Sequence, residues 1–131
     1  MQNLIVCGHG DCKAMSILDS IKNETPTPGT SAYWLKTNGQ SVLDKMDELK
    51  SKGSVEFLRG CNSHRFEAKL SALANNWPET DVLSQINVLQ QLENVASHVN
   101  LRILIEKGEL NMHGFWFHTH EGEMYYFHKP A

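Results

Sequence analysis

Four consecutive apolar residues, Leu4-Ile5-Val6-Cys7, stop abruptly at Gly8-His9-Gly10-Asp11-Cys12-Lys13. An apolar run without polar alternation suits a strand buried on both faces, the kind found in parallel sheets. Asp11 stands where it can cap a following helix, and Ala14, Ile17, Leu18 and Ile21 recur behind it at helical spacing. Strand, tight turn and helix in that order point to an open α/β sheet, whose ligands bind beyond the carboxyl ends of its parallel strands. The turn carries an imidazole and a thiol three residues apart, both donor types that zinc favours. Cys12 would sit at a helix N-terminus, where the dipole and free N–H groups favour thiolate. An ordinary strand-to-helix turn with a buried cysteine and a half-exposed histidine accounts for the same residues, and two donors do not fill a tetrahedral site.

The rest of the chain alternates helical patterns with breaks. Residues 23–29, with two prolines and a glycine, form a loop. A second helix is expected over about residues 30–49, broken or kinked at Asn38-Gly39 and ended by Lys52-Gly53. A third helical region spans 64–74, and Asn75-Asn76-Trp77-Pro78 interrupts it. A further helix starts at Thr80 or Asp81. It carries Val82, Ile86, Leu89 and Leu92 on one face and Leu83, Val88 and Val95 on a second stripe, so it should be largely buried. A short helix over 101–107 is stopped by Gly108. The aromatic stretches 110–118 and 124–127, with Glu121-Gly122 between them, predict a β-hairpin. The expected class is α/β: a small mixed β-sheet with a parallel core strand and a C-terminal β-hairpin, flanked by helices, in one domain of 131 residues.

Bulk chemistry narrows the partners. A net charge of −3 gives no electrostatic reason to expect nucleic acid or an anionic membrane. No apolar stretch approaches the roughly 18 residues of a membrane span, and no basic lead-in or cleavage site marks a signal peptide. Cys7, Cys12 and Cys61 make an odd number and resemble no disulfide framework, which favours a reducing cytoplasm.

Other metal-binding side chains have plainer readings. Cys7 and His9 point to one side of a strand, yet a small sulfur-bearing residue suits a buried strand in any case. Cys61 falls in an expected inter-helix loop as a free thiol. His118 and His120 share a strand face, read as a solvated hairpin end. His113 reads as a packed, hydrogen-bonded histidine. The acids Asp47, Glu48, Glu121 and Glu123 read as solvated surface. Trp34, Trp77, Trp116, Phe115 and Phe117 read as core or subunit-interface packing.

The stretch "LIVCGHGDC" resembles the second metal-binding segment of the β-class carbonic anhydrases, where a strand runs into G-H-x-x-C. Trp34-Leu35, then Ile86-Asn87-Val88 with Gln91 and Asn94, then Lys107-Gly108-Glu109-Leu110, His113-Gly114-Phe115-Trp116 and Glu121-Gly122-Glu123 are similar to family features in the same order. The resemblance implies a zinc enzyme for the reversible hydration of carbon dioxide to bicarbonate, in which the metal brings a water's pKa to about 7. It assigns His9 and Cys12 to two of the zinc ligands. The family's remaining Cys ligand and an Asp–Arg pair lie in an upstream C-x-D-x-R segment, which is absent from this sequence. Lys13 also replaces a usual glycine beside the substrate position. The expectation is therefore a domain incomplete at its N-terminus and inactive alone. The alternatives are a non-catalytic remnant serving oligomerisation or regulation, or a structural zinc module sharing one ion between the His9–Cys12 pairs of two chains. The sheet edge left beside residues 4–7 must be paired or covered, which predicts a homodimer or higher oligomer formed through that edge or through the aromatic hairpin.

Overall fold

The computed structural model describes residues 2–58, 66–69 and 77–127. Two sheets and four helices make up the described chain. Strand β1 (Gln2–His9) runs parallel to β4 (Leu110–His118), with Leu4 opposite Met112 and Gly8 opposite Trp116. Strand β5 (Glu123–Tyr126) pairs antiparallel with β4, so the order is β1-β4-β5 and the sheet is mixed as expected. Helices α1 (Lys13–Ser20), α2 (Ser31–Lys52), α3 (Glu79–Ala96) and α4 (Val99–Glu106) complete the architecture.

Strand β4 alternates buried and half-buried residues along its whole length. Met112, Gly114 and Trp116 turn inward against α3, and Leu4 and Val6 of β1 lie on the same covered side. Helix α3 comes very near this face: a Cβ on Gly8 would meet Val88 Cγ2 at 2.5 Å, and one on Gly114 would meet Leu92 Cδ1 at 3.1 Å. Ile86, Leu89 and Leu92 are fully buried, so α3 is the largely buried helix its double stripe predicts.

The other sheet face corrects the reading of β1 as buried on both sides. Ile5, Cys7 and His9 point away from α3 and are exposed, Ile5 to 54%. Apolar content reported a sheet strand correctly but could not report how many layers cover it. Among the described residues nothing pairs with the second edge of β1.

Helix α2 shows no break at Asn38-Gly39. Thr30 caps it by accepting a hydrogen bond from the Tyr33 N–H (3.1 Å), and Gly53 ends it at φ 78°. Gly39 is there for contact: a Cβ on it would lie 2.7 Å from Leu18 Cδ2 of α1. Gly39→Ala gains about 1 kcal/mol of helix propensity but overpacks a fully buried leucine, at about 1–3 kcal/mol. A net loss, read as a lower thermal midpoint, is expected; a raised midpoint would show that Leu18 can move aside.

The stripe on α1 is displaced by one position. Met15, Leu18 and Ile21 are buried while Ala14 and Ile17 are exposed. Lys36 of α2 ties down the chain leaving α1, donating to the carbonyls of the C-cap Ile21 (3.3 Å), Lys22 (2.7 Å) and Glu24 (2.9 Å).

Part of the third expected helix is a strand instead. Phe66–Lys69 forms β3, antiparallel to β2 (Ser54–Phe57) with Phe57 opposite Phe66. Pairing with a neighbouring strand overrides local helical spacing there. The remainder of 64–74 and Cys61 lie outside the described residues.

Candidate metal centre

His9 is the last residue of β1, and the chain leaves the sheet in two peptides. Gly10 N–H still follows the parallel pairing, donating to the Phe117 carbonyl at 2.8 Å. Asp11 then adopts φ 51°, a left-handed conformation unusual for a residue with a Cβ. Cys12 is extended (φ −81°, ψ 117°) and occupies the N-cap of α1, correcting the expected Asp11 cap. Its thiol is free and half-buried, and it packs against the core. No acidic residue stands in the first turn of α1 and no side chain caps it, so that positive helix end faces the turn.

The His9 side chain is exposed, and its Nδ1 lies 2.8 Å from the Gly10 carbonyl. A carbonyl can only accept, so Nδ1 carries the proton and Nε2 keeps its lone pair. Metal-ligating histidines are held in this way, with the second ring nitrogen donating to a carbonyl or carboxylate. Imidazole Nε2 and thiolate sulfur fit zinc in kind. They do not fit it in number: no group of three or more His, Cys, Asp or Glu capable of holding a metal occurs among the described residues.

Helix α3 holds the turn from behind. Asp81 Oδ1 accepts the Asp11 N–H at 3.0 Å, and Ser84 Oγ donates to the His9 carbonyl at 2.7 Å. Trp116 Nε1 donates in turn to Ser84 Oγ at 3.1 Å, while the Trp116 ring would lie 3.2 Å from a Cβ on Gly10. Asp81 is 4% and Ser84 3% exposed. Sequence reasoning treated Asp81 only as a possible helix start and passed over Ser84. The signal available was two short polar residues three apart, and so on one face, in the first turns of a largely buried helix.

The remaining candidates are placed as follows. Cys7 sits on the exposed face of β1, two residues before His9. His113 is packed and hydrogen-bonded as expected, 3.0 Å from Asn3 Oδ1 and 3.4 Å from the Tyr126 hydroxyl. His118 is not a solvated end: it is 8% exposed, stacked on Trp116 (5.6 Å) with Trp77 edge-on at 4.7 Å. Its Nδ1 lies 3.2 Å from a Glu121 carboxylate oxygen at an angle that makes no hydrogen bond. His120, in the following turn, stays exposed. Desolvation and the neighbouring Glu121 and Glu123 carboxylates hold the Tyr125 phenol above its ordinary pKa. Trp34, read as packed, is 66% exposed, whereas Trp116 is fully buried and Trp77 partly so.

The carbonic anhydrase family model matches residues 1–124. Beta carbonic anhydrase 1 of Caenorhabditis briggsae is 36% identical over 98% of this chain and 50% of its own length. Its counterpart in Caenorhabditis elegans is 37% identical over the same shares. The chain thus spans about half the length of these curated relatives. The solved β-carbonic anhydrase CcaA superposes with a TM-score of 0.61 at 24% identity, covering 96% of this chain and 50% of that one. CafD of Aspergillus fumigatus gives 0.55 at 19% identity, covering 98% and 58%. At these identities the structural likeness is one of fold; the family match spans nearly the whole chain, and the chain belongs to the carbonic anhydrase family, in its β class.

Proposed function

We propose that this chain supplies His9 and Cys12 as two of the zinc ligands of a β-carbonic anhydrase acting on carbon dioxide and bicarbonate, and that residues 1–131 by themselves are inactive. The observation that carries the reading is the His9 ring, tied through Nδ1 to the Gly10 carbonyl so that the Nε2 lone pair is left free, three residues before the N-cap Cys12. Zinc, when bound, supplies a Lewis acid that acidifies water near neutral pH. His9 and Cys12 would hold the ion at the uncapped N-terminus of α1. The third protein ligand and the Asp–Arg pair come from polypeptide outside this sequence, because C-x-D-x-R does not occur in it. Lys13 stands where the family usually has a glycine, beside the substrate position. The compartment we assign is the cytoplasm, where the exposed Cys7 thiol stays reduced.

Zinc analysis with a carbon dioxide hydration assay tests this. Sub-stoichiometric, exchangeable zinc and no hydration above background are expected, and one tightly held zinc per chain with strong activity would overturn it. No zinc at any concentration would favour a non-catalytic remnant.

Self-association is the companion proposal, and the second edge of β1, unpaired among the described residues, carries it. On β1 itself the Ile5 side chain is exposed. Unpaired N–H and C=O groups flanked by apolar surface recruit another strand. Light scattering after size exclusion should show a dimer or larger; a clean monomer at micromolar concentration would refute it. Antiparallel pairing of two β1 edges about their centres would set the His9 residues about 23 Å apart, at about 3.3 Å per residue. Edge pairing in that register and one zinc shared by two chains therefore exclude each other. Half a zinc per chain, lost in His9→Ala, would select the shared ion.

A further inference from the structure

We propose that Asp81 is a positioning residue for the His9 ring, acting through the single peptide that joins Gly10 to Asp11. The inference rests on the reading of His9 as a metal ligand. That peptide presents its N–H to Asp81 Oδ1 at 3.0 Å and its carbonyl to His9 Nδ1 at 2.8 Å. A peptide unit is planar and rigid, so fixing one end fixes the direction of the other. The result is a carboxylate–peptide–imidazole chain, which does at one remove what a carboxylate hydrogen-bonded to a ligating histidine does directly.

The neighbouring peptide is held as firmly. The His9 carbonyl accepts from Ser84 Oγ at 2.7 Å, and the Gly10 N–H donates to Phe117 at 2.8 Å. All four polar groups flanking the Gly10 Cα are thus bonded, two of them to α3. Asp11 at φ 51° requires such restraint, since left-handed backbone in a residue with a Cβ persists where its surroundings impose it. The Asp81 carboxylate is 4% exposed and takes a backbone N–H across the fold, a charge-assisted bond in a dry setting.

The test uses ring nitrogen-15 shifts of His9 in the whole chain, together with cobalt(II) titration followed by thiolate-to-cobalt absorption. Wild-type protein should show the Nδ1–H tautomer; an Nε2–H tautomer there overturns the proposal without any variant. In Asp81→Ala the two tautomers should mix and cobalt affinity fall about 10- to 100-fold, as for other outer partners of metal ligands. Asp81→Asn keeps an acceptor oxygen and should restore both. A variant that loses thermal stability while its His9 tautomer and cobalt affinity stay at wild-type values would reduce Asp81 to a structural role. Absence of a His9-dependent cobalt band in wild-type protein would overturn the metal reading itself, and with it the purpose assigned to Asp81.

Discussion

Trp116→Ala is expected to lower the unfolding free energy by about 3–5 kcal/mol, the largest loss for a single side chain in this molecule. Trp116 is 1% exposed and lies where strand, turn and helix meet. Its indole packs edge-on to Trp77 at 5.2 Å and stacks on His118, and it backs onto Gly10. Alanine leaves a cavity that α3 is held from closing, because Val88 and Leu92 already press on Gly8 and Gly114. It also takes the Nε1–H from Ser84 Oγ. Trp116→Phe keeps one aromatic ring but loses that donor and part of the packed volume, so it should fall between wild type and alanine in urea midpoint. An alanine variant within about 1 kcal/mol of wild type would mean that the site collapses, against the packing described.

The second large effect concerns the metal. His9→Ala and Cys12→Ser should each weaken zinc binding by more than the roughly 100-fold that loss of an outer partner costs, since each removes a ligand outright. His9 is exposed, so stability of that variant should stay within about 0.5 kcal/mol of wild type. Competition with a chromophoric chelator measures the affinity, and a urea titration measures the stability. Affinity unchanged in both variants would place the bound zinc elsewhere. The His118–His120 pair, with ring centroids 5.9 Å apart, would be the first place to look, through His120→Ala.

Much of this fold was legible because its signals are local. The caps of α2 at Thr30 and Gly53, the double stripe of α3 and the turn chemistry at Glu121-Gly122 act within a few residues, and each element formed where expected. The misreadings share one cause. Residues 66–69 have helical spacing but pair with β2; Gly39 has the composition of a break but serves as a contact for Leu18; His118 has the polarity of a surface residue but sits among Trp77, Trp116 and Tyr125. In every case a partner distant in sequence outweighed local preference.

The candidate site divides along the same line. The sequence alone determined that an imidazole and a thiol leave a parallel strand three residues apart at the start of a helix, because strand, turn and helix are contiguous and the donors' chemistry is fixed by residue type. It also determined that the family's other ligand segment does not lie in these residues. Only the tertiary structure decided which nitrogen of His9 is left free, and which residues keep it so. Asp81 is 70 positions from Asp11 and Ser84 is 75 from His9, and a hydrogen bond formed across the fold leaves no spacing in the sequence from which to read it.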